Sequence, residues 1–198
     1  MFEWVLSVIE SWGYPGIFFL MLAENVFPPI PSEVIMPLAG YLSASGQLSF
    51  WPTVLVGTLG SVLGTSLWYV VGAGIGAARL KRWAARHGRW LTLSPSDIDR
   101  AQAWFDRYGG LAVLTGRMAP VVRTLISVPA GVARMPWLRF LGYTALGSLL
   151  WTLLLTGAGL LLEANYHRVA DVIDPLSTLV VVTVVVVYLY RVVTWTPR

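Results

Sequence analysis

Glu24-Asn25-Val26-Phe27-Pro28-Pro29-Ile30-Pro31-Ser32-Glu33 splits an apolar stretch in two. Tyr14 to Ala23 runs into it and Val34 to Leu42 runs out of it. Each arm is roughly ten residues, or about 15 Å as a helix, whereas crossing the hydrocarbon takes about 20 residues. Pro28, Pro29 and Pro31 forbid a continuous helix. Two short arms around a broken tip, with Asn25 in it, predict a re-entrant hairpin over residues 14–42. A second hairpin is predicted over residues 109–133. There Gly109 to Gly116 leads into Arg117-Met118-Ala119-Pro120-Val121-Val122-Arg123, and Thr124 to Val132 follows. Broken backbone at membrane depth is tolerated only where protein or water surrounds it, so both tips should face a cavity.

Working outward, three longer apolar stretches qualify as transmembrane helices: residues 52–78, 137–162 and 176–195. Trp51, Trp137 and Trp195 stand at their ends, as an aromatic belt requires. The whole 198-residue chain is 56% hydrophobic and only 12% charged, with a mean hydropathy of +0.67, which points to the membrane class. The absence of cysteine excludes disulfides and thiolate metal sites. His87 and His167 sit beside arginine in polar stretches, so neither a metal nor any other cofactor is expected. Nor is nucleic-acid binding, because the basic residues behind the net charge of +4 cluster beside apolar segments. Residues 1–13 lack the basic start of a signal peptide and predict a retained interfacial helix built on Phe2, Val5, Leu6 and Ile9.

Arg79, Lys81, Arg82, Arg86, Arg89, Arg100 and Arg107 are half of the fourteen basic residues, which makes residues 79–108 a cytoplasmic loop. Surface helices are expected within it. Ser96 can cap one, with Asp99 at the third position and Ile98, Ala101, Phe105 and Tyr108 on one face. Upstream, Leu80, Trp83 and Trp90 alternate with basic residues, a pattern that suits an anionic leaflet; topology enforcement alone explains the same charges. This orientation brings the first hairpin in from outside and the second from the cytoplasm.

The two halves also match in order. Tyr14-Pro15-Gly16-Ile17 parallels Tyr108-Gly109-Gly110-Leu111, and Ala39-Gly40 parallels Ala130-Gly131. Leu59-Gly60-Ser61 parallels Leu146-Gly147-Ser148, and Gly72-Ala73-Gly74 parallels Gly157-Ala158-Gly159. The expected architecture is therefore a single all-α integral membrane domain over residues 1–198. It is an inverted repeat of re-entrant hairpin plus transmembrane helix, with a further C-terminal transmembrane helix and interfacial amphipathic helices. Gly57, Gly60 and Gly64 should permit close helix approach.

Glu24 and Glu33 belong to the first hairpin, Arg117 and Arg123 to the second. A charge at membrane depth costs about 3 kcal/mol on insertion scales, and such residues mark functional sites by default. Arginine stays charged and forks onto phosphate oxygens, so Arg117 and Arg123 are the candidate phosphate ligands. A glutamate in a poorly hydrated site can take up and release a proton under a pH gradient, so Glu24 and Glu33 are the candidate coupling groups. The residues thus propose a proton-coupled carrier of a phosphate-bearing lipid. A structural reading pairs the four charges to hold the repeats together. Other readings are an antiporter of a small cationic solute, a membrane enzyme such as a lipid phosphatase or intramembrane protease, and a non-catalytic assembly factor. The enzyme is disfavoured, since no histidine or lysine lies at membrane depth to activate a nucleophile.

At these residues the chain resembles the DedA family of bacterial membrane proteins. The similarity rests on Glu24-Asn25 with Pro28-Pro29-Ile30-Pro31-Ser32-Glu33, on Gly116 to Thr124 leading to Pro129-Ala130-Gly131, and on Gly60-Ser61-Val62-Leu63-Gly64 with Tyr69 and Gly72. It covers roughly Gly13 to Leu162. Thr65 stands where many members carry aspartate, and Met118 where many carry Phe or Tyr. The resemblance implies paired re-entrant hairpins in the bacterial inner membrane. It also implies a transporter, not an enzyme: a lipid flippase dependent on the proton gradient and moving undecaprenyl phosphate or, in some members, phosphatidylethanolamine. It puts the required acidic residues at Glu24 and Glu33 and the required arginines at Arg117 and Arg123. Asn25, Pro28, Pro29, Pro31, Pro120 and Tyr69 are left as hairpin-breaking or supporting positions. The expected partners are the lipid and protons, with room left for a homodimer.

Overall fold

The computed structural model describes residues 2–27, 31–91, 94–118, 123, 126–161, 186, 189–190 and 192–194. The described residues are helical, without strands: α1 Phe2–Trp12, α2 Tyr14–Val26, α3 Ser32–Ala44, α4 Phe50–Leu91, α5 Pro95–Tyr108, α6 Gly110–Arg117, α7 Ser127–Val132 and α8 Trp137–Leu161. Two of them, α4 and α8, are long and apolar enough to cross a membrane. Most of the expected third span, residues 176–195, lies outside the described residues.

The chain divides into two compact units. Unit 1 takes residues 1–66 and 144–178, unit 2 the remainder, with the divisions falling inside α4 and α8. In unit 1, Val5 and Ile9 of α1, Ile17 and Met21 of α2, and Ile35, Met36 and Leu38 of α3 form one core with Leu155 of α8. The N-terminal segment is therefore a packed core helix on the face that carries Val5 and Ile9. Unit 2 has a core of Tyr69, Phe105, Val113, Ile126, Ala130 and Phe140.

Both units use one order of parts: a helix, a glycine, a half-helix, a break, a second half-helix, a turn and a long helix. Gly13 (φ 60, ψ −131) joins α1 to α2, and Gly109 (φ 52, ψ −126) joins α5 to α6. Only glycine adopts that backbone readily. The second half-helix then meets a long helix backbone to backbone. A Cβ on Gly40 would collide with the Thr156 carbonyl, and one on Gly159 with the Pro37 carbonyl, both in unit 1. In unit 2 a Cβ on Gly131 would collide with the Tyr69 carbonyl, and one on Gly72 with the Val128 carbonyl. Contact geometry thus equates Gly72 with Gly159, two places from the match by motif.

The Gly57–Gly60–Gly64 face of α4 receives α2 and α3 as expected. A Cβ at Gly60 would stand 2.5 Å from the Phe18 carbonyl oxygen, and one at Gly64 2.7 Å from that of Leu22.

Three boundaries differ from the sequence reading. The first two half-helices are thirteen residues each, longer than the apolar arms that flag them. Helix α4 extends to Leu91, with Gly76 at φ 68 inside it, so the basic segment after residue 78 is helical and follows that glycine. The helix after it is capped by Ser94, not Ser96. The Ser94 side chain accepts from the Asp97 backbone N–H, the Asp97 carboxylate accepts from the Ser94 backbone N–H, and Pro95 opens the first turn. Ile98 and Phe105 are buried on its inner face, whereas Tyr108 is exposed.

Gly131→Ala is expected to cost about 1–3 kcal/mol through overpacking against α4. Gly74→Ala, which meets nothing within 4 Å, should leave stability unchanged or slightly raised. Thermal unfolding of the detergent-solubilised variants checks this; equal shifts would sink the close-packing account.

Candidate functional site

In unit 1 the interrupted segment places two carboxylates at facing helix ends in sequence. Helix α2 stops at Phe27, whose backbone is extended (φ −135, ψ 103). Pro31 is extended as well (φ −74, ψ 136), and α3 starts at Ser32. Glu24 in the last turn of α2 is only 4% exposed, and Asn25 is fully buried. The Asn25 amide nitrogen donates to Glu24 Oε2 at 2.6 Å and to the Met21 carbonyl at 2.8 Å. That clamp fixes the carboxylate against its own helix. Its backing is Gly64, where a Cβ would come within 2.8 Å of Asn25 Cβ.

Glu33 lies in the first turn of α3, where the helix dipole favours a negative charge. It is half-buried. Ser32 Oγ, fully buried, approaches Glu33 Oε2 at 3.5 Å and accepts from the Trp151 indole N–H at 3.4 Å. Sequence reading sets Ser32 beside carboxylates but misses Trp151; nothing local links position 151 to position 32. Pro28, Pro29 and Pro120 lie outside the described residues.

In unit 2 the second break carries the arginines. Arg117 ends α6, where the dipole favours a cation, and it is 2% exposed. Arg123 stands in the connection between α6 and α7 and is 5% exposed. Arg117 Nη2 donates to Ser127 Oγ at 3.3 Å, across the break to the first residue of α7. Ser127 is a second residue that sequence reading did not single out. Behind the break, Gly116 packs on Ile126. Tyr69 belongs to this unit's frame: its hydroxyl donates to the Met135 carbonyl, and its ring stacks on Phe140 at 4.4 Å. The structure thus groups Glu24 with Asn25 and Glu33 with Ser32 in one unit, and holds both arginines in the other. Guanidiniums can grip a phosphate bidentately; carboxylates can hold a proton. Among the described residues no cluster of three His, Cys, Asp or Glu side chains could hold a metal ion.

The chain matches the VTT domain model over residues 30–161. It is 38% identical over 190 residues to a Lactococcus lactis subsp. cremoris protein called alkaline phosphatase-like protein, covering 96% of this chain and 89% of that one. It is 34% identical over 186 residues to undecaprenyl phosphate transporter A of Staphylococcus aureus, covering 94% and 92%. To the Bacillus subtilis protein of the same name it is 31% identical over 190 residues, covering 96% and 92%. No solved structure matches significantly.

Asn25→Ala, which removes both donated bonds, is expected to cost about 1–3 kcal/mol of stability. Asn25→Asp should cost more, since it sets a second carboxylate against Glu24. Detergent melting curves of the two variants at neutral pH read this order, and a reversed order would remove the clamp.

Proposed function

The chain belongs to the DedA family, membrane proteins built on the VTT domain, and on that premise we propose that it moves a lipid phosphate between leaflets of the bacterial inner membrane. Undecaprenyl phosphate is the substrate of choice. The supporting observation is the burial of Arg117 and Arg123 at one break in the backbone. A guanidinium keeps its charge when buried, and two of them within seven residues suit one phosphate group. Relatives at 31% and 34% identity named for undecaprenyl phosphate transport supply the lipid.

Glu24 and Glu33 couple movement to the proton gradient in this reading. Each would be protonated on one side and deprotonated on the other. The repeated order of parts fits an inverted repeat, with the two broken segments as re-entrant hairpins and the basic stretch 79–108 on the cytoplasmic side.

The test is lipid movement in proteoliposomes with labelled undecaprenyl phosphate and labelled phosphatidylethanolamine. Arg117→Lys and Arg123→Lys are expected to slow the prenyl phosphate about 10- to 100-fold, the worth of a charge-assisted hydrogen bond. Glu24→Gln and Glu33→Gln should erase acceleration by an imposed pH gradient. Equal movement of both lipids would make the protein a general phospholipid carrier. No lipid movement, with gradient-driven exchange of a small cation, would make it an antiporter. Release of inorganic phosphate, the activity that the lactococcal relative's name suggests, would replace transport with hydrolysis.

A further inference from the structure

Inside unit 1, α4 and α8 turn hydroxyls toward each other. Thr58 and Thr152 hydroxyls lie 2.8 Å apart, and Ser61 and Ser148 hydroxyls 3.3 Å apart. These two bonds set an antiparallel register, in which the next rung falls at Thr65 and Thr144, with no hydrogen bond between those two hydroxyls. On α8 the row Thr144, Ser148, Thr152, Thr156 recurs at every fourth residue, about 18 Å from end to end. All seven side chains are buried.

Threonines in helices commonly bond the carbonyl one turn back. Thr65 does so, donating to the Ser61 carbonyl at 2.7 Å. Thr144 and Thr156 do not: both are fully buried, and neither hydroxyl has a partner among the described residues. Leaving a buried hydroxyl unpaired is costly. Water with two or more polar neighbours is the usual remedy.

The two helices that carry the row also touch both glutamate networks. Gly64 beside Thr65 abuts Asn25, the clamp on Glu24. Trp151 beside Thr152 donates to Ser32, which touches Glu33. Residues 1–66 and 144–161 contain no Lys, Arg, His or Asp. Their other two acids, Glu3 and Glu10, lie exposed on α1.

We propose that the α4–α8 hydroxyls, bonded directly at Thr58–Thr152 and Ser61–Ser148 and completed by water at Thr144 and Thr156, form a chain that carries the proton to and from Glu24 and Glu33. This rests on the proton coupling proposed above. Each oxygen in that chain accepts a proton from one side and releases one to the other, so no charge is left in the seam. The carboxylates alone store the proton. Interhelical hydroxyls that act only as packing would need neither water nor a link to the acids.

Thr144→Val and Thr156→Val keep shape and remove the hydroxyl. Purified variants would be tested in proteoliposomes with a lumenal pH dye and labelled undecaprenyl phosphate. Gradient-driven proton entry and lipid movement are expected to fall about ten-fold, the equivalent of one lost hydrogen bond. Lipid exchange without a gradient should persist, and Thr144→Ser should retain the gradient response. Radiolytic hydroxyl labelling of the wild-type protein, which needs no variant to fold, should modify the α8 segment around Thr144 through bound water. An unlabelled segment, or an unchanged gradient response in both valine variants while Glu24→Gln and Glu33→Gln abolish it, overturns the seam alone. A gradient response that survives both glutamine variants overturns the coupling reading, and the seam with it.

Discussion

Polar side chains of this protein must be satisfied from within, because the surface around them is apolar. Helix α4 exposes Leu55, Leu59, Leu63 and Leu67 at every fourth residue and buries Thr58, Ser61 and Thr65 on another face. Helix α8 exposes Leu146, Leu150 and Leu154 and buries Thr144, Ser148, Thr152 and Thr156. A helix in water shows the opposite pattern. In hydrocarbon, leucine gains nothing by leaving the surface, so helices associate through close packing and hydrogen bonds. That explains why the inner contacts are glycines and hydroxyls, and why buried Glu24 lies against Asn25 and buried Arg117 against Ser127.

Glycine supplies the packing half of that bargain twice over. Gly40 and Gly159 in unit 1, and Gly131 and Gly72 in unit 2, let a short half-helix sit directly on the backbone of a long one. Each half-helix is too short to be stable alone in water; anchoring its backbone makes its end a fixed point. The break that precedes it then presents charge from a rigid support. One scaffold therefore carries two chemistries, acids at the break of unit 1 and arginines at the break of unit 2.

Backbone punctuation was legible from sequence, and helix ends were not. Three prolines in four positions announce the first break, and Arg-x5-Arg around Pro120 marks the second. The reading ended α4 where hydropathy falls, near residue 78. Gly76, at φ 68, interrupts the right-handed path near that point, and helix resumes beyond it. Ala77, Ala78, Leu80, Lys81, Arg82, Ala84 and Ala85 are strong helix formers, and no proline comes before Pro95. Ser94 outranks Ser96 as a cap because Pro95 after it is preset for the first turn. Ser127 and Trp151 could not be picked out, since each acquires meaning only from a partner ten or more residues away. The hydroxyl row of α8 was visible at its four-residue spacing. Without the register to α4 it reads as any polar sprinkling in an apolar helix.

Hydroxyls suit a proton's transit where acids would not. A carboxylate binds a proton and holds it, and the ionised form left behind is costly in a dry seam. A neutral hydroxyl donates and accepts at once, so a proton can pass along a row of them and leave each group neutral behind it. In the proposed coupling, storage and transit fall to different residues. Glu24 and Glu33 sit at the break, where polar side chains and the α3 dipole support a charge, while Thr65, Ser61, Thr58 and the α8 row stay neutral between two apolar helices. If Thr144 were itself an acid, the seam would acquire a second storage point and the proton would be divided between it and the tip. In the proposed coupling, keeping ionisable groups out of the row leaves the carboxylates at the break to set when the proton is held and when it is released.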